Sequence, residues 1–237
     1  MFGRITPWKV ILWLIRFLFF TLVACIVVFL GWRMVTHNSD PKEMKVLIAD
    51  KALADAFETY GEDLELFTQE QGTYTRAERN NGYFFIRQAM FIPQAEQVQI
   101  LFRYNNSTIK ALTEDYGLTS LPDRGEHLYD LSIVVKKDLT PDIKEDHNEE
   151  GCYTLERYHP DLEISGERAL YNYRKAVFNG IAVDETTLAV FVDIYYVGDI
   201  QYEEPAYGTL CIWDFESYDL PRKLTGDDIA ALTATNK

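Results

Sequence analysis

The chain has 237 residues, 47% of them hydrophobic and 14% aromatic, and a formal net charge of −14. Residues 1–35 hold Arg4, Lys9, Arg16 and Arg33 and no acid, so the 37 acidic residues all lie downstream, against the remaining 19 of the 23 basic ones. A body that acidic repels polyphosphate and anionic head groups, which excludes nucleic-acid binding as its working role.

From Val10 to Trp32 the chain reads VILWLIRFLFFTLVACIVVFLGW, apolar throughout except for Arg16. About 20 residues at 1.5 Å rise cross a bilayer, so this segment predicts a membrane helix over 10–35 that contacts lipid. Arg16 lies close enough to its N-terminal end to snorkel, and Trp8, Trp13 and Trp32 mark the two interfaces. Leu22-Val23-Ala24-Cys25 resembles a lipoprotein cleavage box, but seven apolar residues follow Cys25 where such signals turn polar. A cleaved secretory signal needs a shorter apolar core and small residues at the cut. The anchor reading therefore rests on Val10, Arg16, Cys25 and Trp32 as parts of one uncleaved span. Arg4, Lys9 and Arg16 against Arg33 predict a cytosolic tail at 1–9 and a domain on the extracytoplasmic side.

A juxtamembrane helix is expected over 36–61. Asp40-Pro41-Lys42-Glu43 has the pattern of a capping box, Met44, Ile48, Leu53, Phe57 and Tyr60 recur at helical intervals, and Gly61 stops the run. Residues 62–237 then form the acidic β-rich domain. Strand signals appear at 83–92, ended by Pro93, and at 97–104, where Val98, Ile100, Phe102 and Tyr104 alternate with Gln97, Gln99, Leu101 and Arg103. They recur at 128–136, with Tyr129, Leu131, Ile133 and Val135 on one face, and more weakly at 152–158 and 170–178. Residues 187–197 are apolar on both faces, as in a central strand, and 207–215 repeat the alternation. About seven strands separated by Gly, Pro, Asn and Asp turns predict an antiparallel, sandwich-like fold. Short helices are expected after Ser107 and after Thr225. Asn105 and Asn106 open two overlapping N-x-[ST] sequons, which matter only on a eukaryotic secretory route. Residues 140–151 read as an acidic exposed loop.

Cys152 and Cys211 suit one disulfide if the fold brings their Cα atoms within about 7 Å, and two buried thiols if it does not. None of the nucleophile-elbow, zinc-protease, P-loop or dinucleotide signatures occurs, and His37, His127, His147 and His159 are scattered, so no cofactor is expected. Carboxylates and tyrosines offer what site there is. Asp193 interrupts an apolar strand and needs a partner if buried. Asp214 and Glu216 share a strand exit, and Tyr195 and Tyr202 flank a turn. Paired acids of this kind serve glycoside hydrolysis or hold calcium. The leading expectation is a single-pass membrane protein presenting its β domain to a protein partner, more a binding module than an enzyme. An extracytoplasmic hydrolase or carbohydrate-active protein is the alternative.

Overall fold

In a computed structural model, the described residues are 7–38, 40–72, 84–123, 125–138, 153–168, 170–184, 186–198, 208–214 and 223–235. The chain divides into two units, Met1–Asp40 and Pro41–Lys237. Among its described residues the first forms one helix, α1 (Pro7–Asn38). Within it Val10–Met34, 25 residues, is long and apolar enough to cross a membrane, and none of it is buried. Trp8, Trp13 and Trp32 are all more than 60% exposed, and Thr21 returns its hydroxyl to the Phe17 carbonyl at 2.9 Å, which satisfies that hydroxyl within the helix. Cys25 lies inside continuous helix, exposed.

Among the described residues the second unit contains nine strands in two antiparallel sheets. The first sheet has the order β1-β2-β3-β7-β6, built from β1 (Phe67–Gly72), β2 (Phe85–Ile92), β3 (Gln97–Asn105), β6 (Leu162–Arg168) and β7 (Tyr171–Phe178). The second has the order β5-β4-β8-β9, built from β4 (Tyr129–Asp138), β5 (Tyr153–Tyr158), β8 (Thr187–Tyr196) and β9 (Gly208–Asp214). The two strands beyond the seven expected are β1 and β6, both sheet edges. Between the sheets lies a core of Val98, Ile100, Phe102 and Tyr104 from β3, Tyr129, Leu131, Ile133 and Val135 from β4, and Val190, Val192 and Ile194 from β8. The alternation read from β3 and β4 therefore holds residue by residue, and β8 is a central strand. Phe84 stacks on Phe102 at 5.5 Å and meets Tyr129 edge-on at 5.0 Å, and Tyr104 meets Tyr129 edge-on at 4.9 Å. Each such ring contributes about 2 kcal/mol or more through burial.

The chain moves from one sheet to the other between β5 and β6, across residues 159–161. Both strands are edges, and both keep exposed leucines, Leu155 at 57% and Leu162 at 41%.

A third layer covers the outer face of the five-stranded sheet. The juxtamembrane stretch is not the single helix expected over 36–61. It comprises α2 (Lys42–Lys45), an irregular run at 46–50, and α3 (Lys51–Tyr60), which Gly61 ends at φ +60. Asp50 takes the capping role expected of Asp40: its carboxylate accepts from the Leu53 N–H at 3.0 Å, whereas α2 starts at Pro41 with no side-chain cap. Leu47, Leu53, Leu64 and Leu66 pack on Met90 and Ile92 of β2 together with Leu232 of the C-terminal helix α5 (Gly226–Thr235). Because of this layer β3 is buried on both faces rather than half-buried.

The remaining caps follow local chemistry. Helix α4 (Asn106–Asp115) starts two residues earlier than a Ser107 cap implies, because Asn105 is extended and its side-chain oxygen accepts from the Ser107 and Thr108 N–H groups at 2.9 and 3.1 Å. Thr225 caps α5 as expected, in a box whose other half is Asp228: the carboxylate accepts from the Thr225 N–H at 2.9 Å and the hydroxyl accepts from the Asp228 N–H at 3.3 Å.

Candidate functional site

Asp193 is the buried acid that β8 carries on the outer face of the four-stranded sheet, 5% exposed. The register sets Ser132 of β4 and Thr209 of β9 opposite it. Its Oδ1 accepts from the Thr209 hydroxyl at 2.6 Å; its Oδ2 accepts from Arg157 Nη1 at 3.0 Å and from the Tyr195 hydroxyl at 3.1 Å. Arg157 Nη1 also donates to the Tyr195 oxygen at 2.5 Å. Arg157 belongs to edge strand β5, two strands away, and reaches β8 over the small side chain of Ser132 on the intervening strand. Ser132 in turn donates to the Tyr158 carbonyl at 3.2 Å. Burial, then the charge of Asp193, pushes the Tyr195 phenol up to about 12, so it stays a donor at any physiological pH.

This cluster ties β5, β8 and β9 together through one charge-assisted centre. Every oxygen of the carboxylate is engaged, and Arg157 is the arm that remains partly in water, at 43% exposure of its side chain. The sequence reading found the acid and its need for a partner, and Tyr195 beside it; it missed Arg157 and Thr209, which lie 36 and 16 positions away.

The other expected site residues do not join it. Asp214 ends β9 opposite Ala189, about 13 Å along the strand from the Asp193 position. Tyr202, Glu216, Cys152 and the acidic loop 140–151 lie outside the described residues. The Cys211 thiol donates to the Trp213 carbonyl at 3.3 Å. Among the described residues no three His, Cys, Asp or Glu side chains are placed to hold a metal ion. The Asp193 cluster offers a single carboxylate, so the paired acids of glycoside hydrolysis are not assembled there.

A second polar cluster went unnoticed in the sequence. Arg174 of β7 points between the sheets near the open β6 edge, where an apolar residue is the rule. It donates to the Tyr104 hydroxyl at 3.3 Å, to Glu163 at 2.9 Å and to the Glu126 carbonyl at 2.8 Å. Beside it His127 holds Asp130 at 2.5 Å and lies 3.6 Å from Glu163. Hydrogen bonds to these two carboxylates, Asp130 first, raise the imidazole to about 9, so it is a cation at neutral pH. A polar cavity of about 70 Å³ adjoins the cluster, lined by Tyr104, Ser165, Glu167, Asn172 and Arg174 among others. Its volume suits a few water molecules rather than an organic substrate.

No family model, curated protein or solved structure matches this chain.

Proposed function

We propose that the protein is a single-pass membrane-anchored module that holds its β domain on the extracytoplasmic side and presents it to a protein partner in an envelope or cell-surface complex. One observation carries this reading: Val10–Met34 of α1, 25 residues that are apolar apart from Arg16, Thr21 and Arg33, has none of its length buried, a surface that water does not tolerate and a bilayer does. The orientation rests on Arg4, Lys9 and Arg16, which precede or open the apolar run, against Arg33 behind it. The binding role is supported by the two edge strands β5 and β6, whose exposed leucines and outward backbone groups suit a protein surface. In the proposed setting the acidic body repels other copies of itself and favours a partner with a basic face.

Co-purification of the intact chain from mildly solubilised membranes is the test. Recovery of one stoichiometric protein partner supports the reading. Recovery of the chain alone from several mild detergents, or its appearance in the soluble fraction, refutes it.

A further inference from the structure

The outer face of the five-stranded sheet is unusual in what it buries. Gln97, Gln99 and Lys175 are fully buried there and Arg103 is 5% exposed, all on strands β3 and β7. Arg103 lies against the Phe85 and Tyr171 rings and donates to the Tyr173 hydroxyl at 3.2 Å, whereas Gln97, Gln99 and Lys175 find partners in the run that directly follows α1. Gln99 accepts from the Ile48 N–H at 2.9 Å and donates to the Ile48 carbonyl at 2.8 Å, so one side-chain amide stands in for a neighbouring strand. Lys175 donates to the Val46 carbonyl at 2.6 Å. Gln97 donates to Asp50 and to Asn179 at 2.8 Å, and Asn179 donates to Asp50 at 2.9 Å. At the far end Met44 rests on Gly166 of β6, where a Cβ would stand 2.5 Å from its methyl carbon.

We propose that residues 41–50 are a releasable strap, whose detachment bares the Gln97, Gln99, Leu101 and Lys175 face and lengthens the chain between the span and the domain. A face covered permanently by its own chain is best made apolar. Amides and an amine are the side chains that keep such a face tolerable in water once it is uncovered. The strap holds on through these polar hooks and two buried apolar side chains, Met44 and Leu47, whereas 22 buried residues join the two sheets. It therefore opens without disturbing the sandwich. Its backbone at 46–49 belongs to no helix or ladder, and its last residue, Asp50, stays attached to α3 as cap and hinge. Ten freed residues add up to about 33 Å of reach.

The inference rests on the anchored-module reading for its purpose and on the strap geometry for its substance. Hydrogen exchange of the full chain in detergent micelles tests it. After correction for intrinsic rates, the Ile48 amide exchanges at least tenfold faster than the paired amides of β3 and β7. Gln99→Ala removes both hooks on Ile48 and raises that rate about tenfold further, leaving the sandwich amides unchanged. Equal protection of Ile48 and the β3 and β7 amides overturns the proposal, and so does a Gln99→Ala effect spread evenly over all of them. Should that variant fail to fold, the comparison within the wild-type chain decides alone. Exchange is read on the chain by itself, so a failed strap and a failed co-purification are separate results.

Discussion

Lys175, with no solvent exposure, donates to the carbonyl of Val46 at 2.6 Å, and the charge of Asp228 on the C-terminal helix acts on it. Burial outweighs Asp228 and lowers the amine from 10.5 to about 7. Below pH 7 the amine is charged in both folded and unfolded chains, and the full burial penalty is present. Between pH 7 and 10.5 the folded chain holds fewer protons than the unfolded one, so stability from this group rises with pH. Lys175→Met removes the effect. In denaturation of the full chain in micelles, the gap between wild type and Lys175→Met shifts in favour of wild type by about 2 kcal/mol from pH 7 to pH 9. A gap independent of pH sinks the assignment.

His127 runs the other way. Its imidazole is raised to about 9 by Asp130 and then Glu163, so its contribution is complete below about pH 6.5 and fades as pH rises through 9. Proton NMR titration of the full chain in micelles finds one imidazole still protonated at pH 8. Asp130→Asn, which removes the main cause, moves that midpoint down toward the ordinary histidine value. A midpoint unmoved by Asp130→Asn contradicts the contact.

At Asp193, substitution by alanine removes the common acceptor of three hydrogen bonds, from Arg157, Tyr195 and Thr209. The expected cost is about 2–3 kcal/mol, less than for a fully buried pair because Arg157 stays partly in water. Thr209→Ala alone costs about 1 kcal/mol. Chemical denaturation of both variants checks the order; equal effects argue that the cluster has no centre.

Orientation is open to a direct chemical test. Leu155 is 57% exposed on edge strand β5, so Leu155→Cys reacts with a membrane-impermeant maleimide on intact cells if the domain faces outward. Labelling that exceeds the wild-type background only after permeabilisation reverses the proposed topology.

Much of the sandwich was legible because the inter-sheet core is written with period two: β3 and β4 place every expected apolar residue inside. The strands that escaped are the two edges of the five-stranded sheet. FTQEQG and LEISGER are mixed in polarity because an edge is only partly covered, so no clean alternation forms. The outer face of β3 misled for a related reason. Gln97, Gln99 and Arg103 look like a solvent face, yet the strap and its hydrogen bonds cover the two glutamines and aromatic rings cover Arg103, and no local pattern distinguishes an amide bonded to backbone from one bonded to water. The Asp193 cluster was half legible. An acid in an apolar strand announces a need, but its partner is chosen by register across β4, where Ser132 is small enough to let Arg157 pass.

The passage from β5 to β6 has a consequence for how this domain grows. Because consecutive strands form the rims of different sheets, a foreign strand that docks on β5 prolongs the four-stranded sheet and leaves the five-stranded one untouched, and the reverse holds at β6. One corner of three residues thus keeps the two rims independent, so that a change at one leaves the sheet of the other as it was.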